Sequence, residues 1–188
     1  MTKLITLADI QTLKPISANV NEVKQLNTYI LEAQEFDLRP FLGDEFYLAL
    51  VADFEASPSL STYGDLFNGV DYVYNSDTYR NDGIKPMLIY YAYARYLNNA
   101  QAIITPNGVV SKNFNDSTPT SDKNVAKLVN QAFSGGKIYE NRVLDYLVRN
   151  SEDYPLYKCV NSTKRTGGLR ISSIRKWHKK NSSKKDFC

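Results

Sequence analysis

Paired carboxylates are the part of this sequence that comes closest to a catalytic pattern. The pairs are Asp44 with Glu45, Asp53 with Glu55, and Glu152 with Asp153. Each pair falls at a predicted helix end or on a polar face, where negative charge ordinarily caps or solvates a helix.

Residues 1–157 lack the side chains that other kinds of catalytic site need. Residues 1–157 contain no histidine, no cysteine and no GxSxG elbow, so neither a zinc site nor a nucleophile beside a base can be built there. We therefore predict that the protein is not an enzyme, with no catalytic residue, cofactor or metal.

The charge of the chain is divided between two unequal parts. Residues 158–188 hold ten basic residues and one acidic residue, a net charge of +9. Residues 1–157 hold 13 basic and 19 acidic residues, a net charge of −6. Such asymmetry reports on binding partners rather than on fold. It predicts a body, residues 1–157, and a basic C-terminal tail, residues 158–188, which is a candidate docking segment.

The tail also carries an apolar pattern. Ile171, Ile174 and Trp177 recur every three residues among the basic side chains, which gives a narrow apolar edge if the segment becomes helical. So short a helix is marginal in water, so we expect it to order on a partner: nucleic acid, an acidic protein groove or an anionic membrane. A solvated tail without a partner is the alternative. The candidate docking residues are Arg170, Ile171, Ile174, Arg175, Lys176, Trp177, Lys179 and Lys180.

The body has the size and apolar content of one domain. Helical periodicity predicts helices over residues 19–36, 44–55 and 84–104, and one long helix from Ser121 that crosses Gly135 and Gly136. The expected fold class is mainly α, about a four-helix bundle. A polar insertion follows the second helix and suits a small hairpin near Tyr72 to Tyr79, and residues 105–120 are expected to form a long loop.

The long helix is predicted to carry one apolar face. The residues that share this face are Val125, Leu128, Val129, Ala132, Phe133, Val143, Tyr146 and Leu147. No uncharged apolar run approaches the roughly 18 to 20 residues that span a bilayer, and the start of the sequence lacks a secretory apolar core. We expect synthesis in the cytoplasm and no membrane partner.

The helix predicted over residues 84–104 is apolar nearly all round. Such a helix lies either at the centre of a bundle or between subunits. The sequence leaves both positions open, and the same holds for Tyr90, Tyr93 and Tyr96. The candidate ring-interface or channel residues are Tyr90, Tyr93, Tyr96, Asn107, Gly108, Val109, Val110 and Lys112.

Four stretches of the chain occur in a familiar order. They are FDLRPFLGDEFY, GIKPMLIYYAYARYLNN, TPNGVVSKN and NSEDYPLY. With them, residues 20–157 resemble the head-to-tail connector (adaptor) proteins of tailed bacteriophages, in particular those of Bacteroidetes and crAss-like phages.

The resemblance implies a virion structural protein of the neck, made in the host cytoplasm. Such proteins form a helical bundle that assembles as a ring, typically of twelve copies, beneath the portal and around the DNA channel, and they carry the next neck or tail ring protein. Their C-terminal segment commonly reaches a groove of the portal, a role that only residues 170–180 could fill here. The loop at 105–120 would point to the channel or the next ring, and DNA in the channel would be contacted without sequence specificity. The alternative function is a nucleic-acid-binding module that uses the basic tail.

Overall fold

The first helix forms where the sequence supplies its own cap. Helix α1, Leu7–Leu13, begins after Thr6, whose hydroxyl accepts a hydrogen bond from the backbone N–H of Asp9. The Asp9 carboxylate in turn accepts from the backbone N–H of Thr6 at 2.8 Å, so two otherwise unpaired donors are satisfied. The computed structural model describes residues 2–17, 20–57, 60, 62–99, 102–105, 108–111 and 121–158.

The next helical stretch is longer than the sequence predicted. A π-helical turn, Glu22–Leu26, leads into α2, Asn27–Ala33; a second π-helical turn, Gln34–Leu38, leads into α3, Arg39–Leu42. The expected end at residue 36 is wrong because Pro40 sits in the first turn of α3, where proline fits the helix. The helical path ends instead at Gly43, whose φ of +84° favours glycine. The expected start, residue 19, lies outside the described residues.

Residues 44–81 form the helix and the hairpin that the sequence predicted, with one further short helix between them. Helix α4, Asp44–Ala56, is followed by a short helix, α5, Gly64–Asn68, which the sequence reading missed. Strand β1, Val70–Tyr74, then pairs antiparallel with β2, Asp77–Asn81. The two turn residues have φ values of +52° and +70°, the left-handed geometry that matches the twist of a tight hairpin. The small hairpin is confirmed.

The segment after this hairpin differs from its prediction in the end of the helix and in the presence of two strands. Helix α6, Ile84–Asn99, ends before residue 104, the expected end. Strand β3, Ala102–Thr105, pairs antiparallel with β4, Gly108–Ser111, so the expectation of a long loop without regular structure is wrong at residues 108–111. Two β-branched residues on each strand face each other across this ladder, which favours strand over helix.

Helix α7, Asp122–Arg149, is the longest element, and it runs unbroken across Gly135 and Gly136 as predicted. The two glycines have a packing role that the sequence did not reveal. A Cβ atom on Gly136 would lie 2.6 Å from the buried Tyr91 ring, and one on Gly135 would overlap the Tyr90 ring. Glycine therefore allows the rings of α6 to lie directly against the backbone of α7.

The core surrounds α6. Helices α1, α2, α5 and α7 all contact it, and its buried side chains are Ile84, Met87, Leu88, Ile89, Tyr91, Ala92 and Ala94. Of the residues predicted to share the apolar face of α7, five are buried: Val129, Ala132, Val143, Tyr146 and Leu147. Leu128, on the same predicted face, is 48% exposed. The described residues thus form a mainly helical body with two small antiparallel hairpins.

Candidate functional site

The three predicted interface tyrosines of α6 make contacts within their own chain. The Lys14 ammonium lies 3.6 Å from the centre of the Tyr90 ring. The Tyr93 hydroxyl donates a hydrogen bond to the backbone oxygen of Pro15 at 3.2 Å. The Tyr96 ring meets Tyr29 edge-on, with centroids 6.3 Å apart. These contacts hold α6 against the end of α1 and against α2.

The other predicted site residues lie either in strand β4 or outside the described residues. Gly108, Val109 and Val110 belong to strand β4, where the latter two pair with Ile104 and Ile103. Asn107 and Lys112 lie outside the described residues. The same is true of the whole docking segment of the tail: Arg170, Ile171, Ile174, Arg175, Lys176, Trp177, Lys179 and Lys180.

A groove that the sequence did not predict lies between the Gln34–Leu38 turn with α3 on one side and α7 on the other. Its volume is about 610 Å³. We call it the aromatic groove, and it is lined by Phe36, Asp37, Pro40, Phe41, Tyr91, Phe133, Ser134, Lys137 and Glu140. Phe36 is 63% exposed at its edge, although an aromatic ring gains free energy from burial. The only local sign of this groove in the sequence is the pair Phe36 and Phe41, one on each side of Pro40. The opposite wall of the groove comes from α6 and α7.

Both acidic side chains of the aromatic groove form an ion pair with a basic side chain. The Asp37 carboxylate accepts from the guanidinium of Arg95 at 2.8 Å, and burial raises the pKa of Asp37 despite this pairing. The Glu140 carboxylate pairs with Lys137 and accepts a hydrogen bond from the Tyr91 hydroxyl. Burial first, and Glu140 second, raise the pKa of Tyr91 far above its usual range, so this phenol remains a donor at neutral pH. Two carboxylates therefore lie in an otherwise aromatic groove.

A second surface lies at the C-terminal end of α7. There Arg149 donates a hydrogen bond to the Tyr72 hydroxyl at 3.0 Å, and its guanidinium lies 3.9 Å from the centre of the Tyr79 ring. This places the β1–β2 hairpin against the helix end. Val73, at 69% exposure, and Tyr74 remain open to solvent. We call these two residues the hairpin tip.

A third surface lies along the N-terminal half of α7. Exposed lysines, Lys123 and Lys127, flank a groove of about 1000 Å³ that also reaches Lys14, Tyr90 and Ile138. We call this lysine-lined groove the basic face. Leu128, on the same half of α7, is also exposed. Leu128 and Arg149 are 21 residues apart, which is about 31 Å along an α-helix. The hairpin tip, whose Tyr74 ring lies 5.3 Å from Arg149, is thus far from Leu128.

The described residues contain no group of metal ligands, no unpaired buried polar side chain and no helix that could span a membrane. Among them no three His, Cys, Asp or Glu side chains form a group that could hold a metal ion. In the same part of the chain, every buried side-chain nitrogen or oxygen has a hydrogen-bond partner. None of the described helices is both long and apolar enough to span a membrane. What the arrangement offers is surface for binding: the aromatic groove, the hairpin tip and the basic face.

Comparison with known proteins gives one result. The model of the family of unknown function DUF6712 matches residues 38–167. The chain belongs to this family. The DUF6712 match covers the aromatic groove from Leu38 onward, the hairpin tip and all of α7, but it ends before residues 170–180. No curated protein and no solved structure matches the chain.

Proposed function

We propose that this DUF6712 protein is a virion structural protein, a ring-forming connector between the head and the neck or tail of a tailed bacteriophage. In this proposal about twelve copies close a ring beneath the portal protein and around the DNA channel. Its partners are other copies of itself, the portal protein and the next neck or tail ring protein. It works in the virion neck and carries out no chemical reaction.

The observation that carries this proposal is the separation of two unlike apolar surfaces. A ring with cyclic symmetry needs a heterologous contact, in which one surface of a subunit binds a different surface of the next. The hairpin tip and the Leu128 side of α7 differ in structure. The tip lies beside Arg149, which is about 31 Å along the helix axis from Leu128. Both expose large apolar side chains, which are typical of contact surfaces when they are rimmed by polar residues.

The proposal extends to the arrangement of helices. The stretch 22–42 together with α4, α6 and α7 would make a four-helix bundle, with α6 at its centre. The two hairpins leave the bundle at separate points of the chain, one before α6 and one after it. We propose that the β3–β4 hairpin, in place of the expected loop, faces the channel or the next ring.

The basic tail supplies the second contact of the connector. A segment of net charge +9 on a body of net charge −6 suits docking on an acidic groove of the portal. The body itself has the same sign of charge as DNA, so DNA in the channel would pass without sequence-specific contacts. Removal of residues 164–188 should abolish portal docking.

The ring contact can be tested with two single variants. Val73→Asp and Leu128→Asp each spoil one of the two surfaces, and both positions are exposed, so folding should persist. Neither variant alone should form rings, with or without the portal protein of the same virus. Mixed together, they should form a dimer, since each variant keeps the surface that the other has lost. Light scattering after size exclusion and negative-stain microscopy measure these species.

The matched control is Leu48→Asp, an equally drastic change at an exposed leucine of α4. This variant should form rings like the unmodified chain. The connector proposal fails if the unmodified chain stays monomeric with its portal protein, or if Val73→Asp and Leu128→Asp assemble as well as Leu48→Asp.

A nucleic-acid-binding module is the second candidate, and the basic face favours it. Lys14, Lys123 and Lys127 line the groove of this face, and the tail adds further positive charge. Such a protein should bind DNA as a monomer or dimer, with log Kd changing by about 0.9 per phosphate contact for each tenfold change in salt. Binding measured at several salt concentrations separates this function from ring assembly.

A further inference from the structure

The aromatic groove presents an apolar surface without a covering group among the described residues. Phe36 and Phe41 line it from one side, and Tyr91 and Phe133 from the other. The Arg95 guanidinium lies 5.3 Å from the centroid of the Phe36 ring, and Phe36 stays 63% exposed. An exposed aromatic side chain beside a concave apolar surface is typical of a place where a second segment binds.

The charge of the body restricts what that segment is. Inside the groove each carboxylate is already paired, Asp37 with Arg95 and Glu140 with Lys137. The body as a whole is acidic, with a net charge of −6. A basic segment with an apolar edge therefore suits this surface, because its apolar residues meet aromatic rings while its cations are attracted by the net negative charge of the body.

The path of the chain brings such a segment to the groove. Near the last described residues, the Tyr157 ring packs against Phe41 of the groove at 6.1 Å between centroids. The Lys158 ammonium then pairs with Glu45 at 2.8 Å. Eleven residues separate Lys158 from Arg170, and an extended chain of that length reaches up to about 39 Å. Residues 170–180 can therefore reach the groove from the place where the chain leaves the body.

We propose that residues 170–180 of the same chain bind in the aromatic groove of the free protein. Trp177 is the residue best suited to fill the apolar part, since it is the largest side chain of the segment and the only tryptophan of the chain. The neighbouring arginines and lysines add attraction to the acidic body. The linker keeps the segment close at an effective concentration on the order of millimolar, so even weak complementarity gives occupancy.

This inference does not depend on the connector function. It concerns a contact inside one chain, whereas the ring contact joins different copies. If the protein is a connector, the groove and the portal compete for the same segment, and the portal must displace it. The two proposals can therefore fail separately, one in an assembly measurement and the other in a spectroscopic one.

The single tryptophan provides a direct probe in the full-length chain. Bound in the groove, Trp177 should fluoresce at shorter wavelength and resist quenching by acrylamide. Phe36→Ser removes one aromatic contact, which should lower the ratio of bound to free segment several-fold, up to roughly tenfold. The emission should shift to longer wavelength and quenching should increase. Far-UV circular dichroism should stay unchanged, because Phe36 is mostly exposed.

A second variant changes the charge of the groove and should strengthen the same contact. Lys137→Glu turns the single lining lysine into an acid, so Trp177 should become less accessible to quencher than in the unmodified chain. Added salt should reverse much of this gain, since exposed charges are screened at high ionic strength. Leu48→Ser, at an exposed leucine of α4 outside the groove lining and outside both proposed ring surfaces, is the matched control and should leave the fluorescence of Trp177 unchanged.

Three outcomes would overturn the proposal. The first is a Trp177 that is fully accessible to quencher in the unmodified chain. The second is a protected Trp177 that responds neither to Phe36→Ser nor to Lys137→Glu. The third is protection that is lost on dilution, because a contact within one chain does not depend on protein concentration, whereas a segment donated by another copy does.

Discussion

Helix α7 packs very differently along its two halves. Between Gly136 and Arg149 the residues Gly136, Val143, Tyr146 and Leu147 are buried, whereas between Asp122 and Gly135 only Val129 and Ala132 are. Both halves contain apolar residues at helical spacing, so the difference does not come from the periodicity of the sequence. It comes from what lies opposite: Tyr91 of α6 packs on Gly136, and Tyr72 of the β1–β2 hairpin packs on Tyr146.

This difference separates what the two halves of one helix contribute to the fold. The buried half holds the body together, and a change there should lower the free energy of unfolding. The exposed half carries Leu128 and its lysines on the surface, where the proposed functions need them, and a change there should leave the isolated protein stable. Matched substitutions in the two halves test this division.

The largest effect is expected for a leucine in each half. Leu147→Ala should lower the free energy of unfolding by about 2 to 5 kcal/mol, because Leu147 is fully buried and its loss leaves a cavity. Leu128→Ala should change it by no more than about 0.5 kcal/mol. Urea unfolding followed by circular dichroism measures both. Equal losses at the two positions would mean that the halves do not differ as described.

A smaller effect is expected where α6 meets the glycines of α7. Gly136→Ala should gain about 1 kcal/mol of helix propensity but lose roughly 1 to 3 kcal/mol, because the new Cβ atom displaces the buried Tyr91 ring. The variant should therefore be less stable, by about 1 kcal/mol, in the same urea experiment.

The matched control is Ser134→Ala, two residues earlier on the exposed side of the helix. It should be neutral or slightly stabilising, since alanine is the better helix former and no ring has to move. A Gly136→Ala protein as stable as Ser134→Ala would show that Tyr91 does not need the glycine.

The smallest effect is expected at the helix end that holds the hairpin. Arg149→Gln loses the hydrogen bond to Tyr72 and the contact with the Tyr79 ring, together about 1 kcal/mol. Hydrogen exchange of the β1 and β2 amides should become faster while exchange in α6 stays slow. Lys127→Gln removes one positive charge from the exposed half and should leave both rates unchanged. If Lys127→Gln also speeds exchange in the hairpin, Arg149 is not its specific anchor.

Elements governed by local chemistry were predictable from the sequence. The tight hairpin followed from the turn residues at 75–77 between alternating tyrosines, and α7 followed from an apolar stripe that stays in register over Gly135 and Gly136. The helical stretch 22–42 was predicted too short because Pro40 suggested a break, although its position at the start of α3 made it compatible with a helix. The β3–β4 hairpin was missed because the predicted helix 84–104 covered most of β3 and the predicted loop 105–120 covered β4.

The candidate surfaces were harder to predict for a physical reason. The aromatic groove joins Phe36 and Phe41 to Tyr91 and Phe133, which are remote along the chain and have no shared local pattern. The hairpin tip and Leu128 could not be recognised as exposed, because burial depends on the partner that faces each residue. The tail residues 170–180 were recognised by composition alone, and their docking remains a prediction.

The sequence by itself determined the charges, the acidic body and the basic tail, because composition does not depend on folding. It also determined the kinds of most elements, since caps, turns and periodicity act over a few residues. Only the tertiary structure decided which apolar side chains are buried, why Gly136 must be glycine and where the aromatic groove forms. Each of these depends on contacts between residues distant in the sequence, and such contacts exist only once the helices have packed.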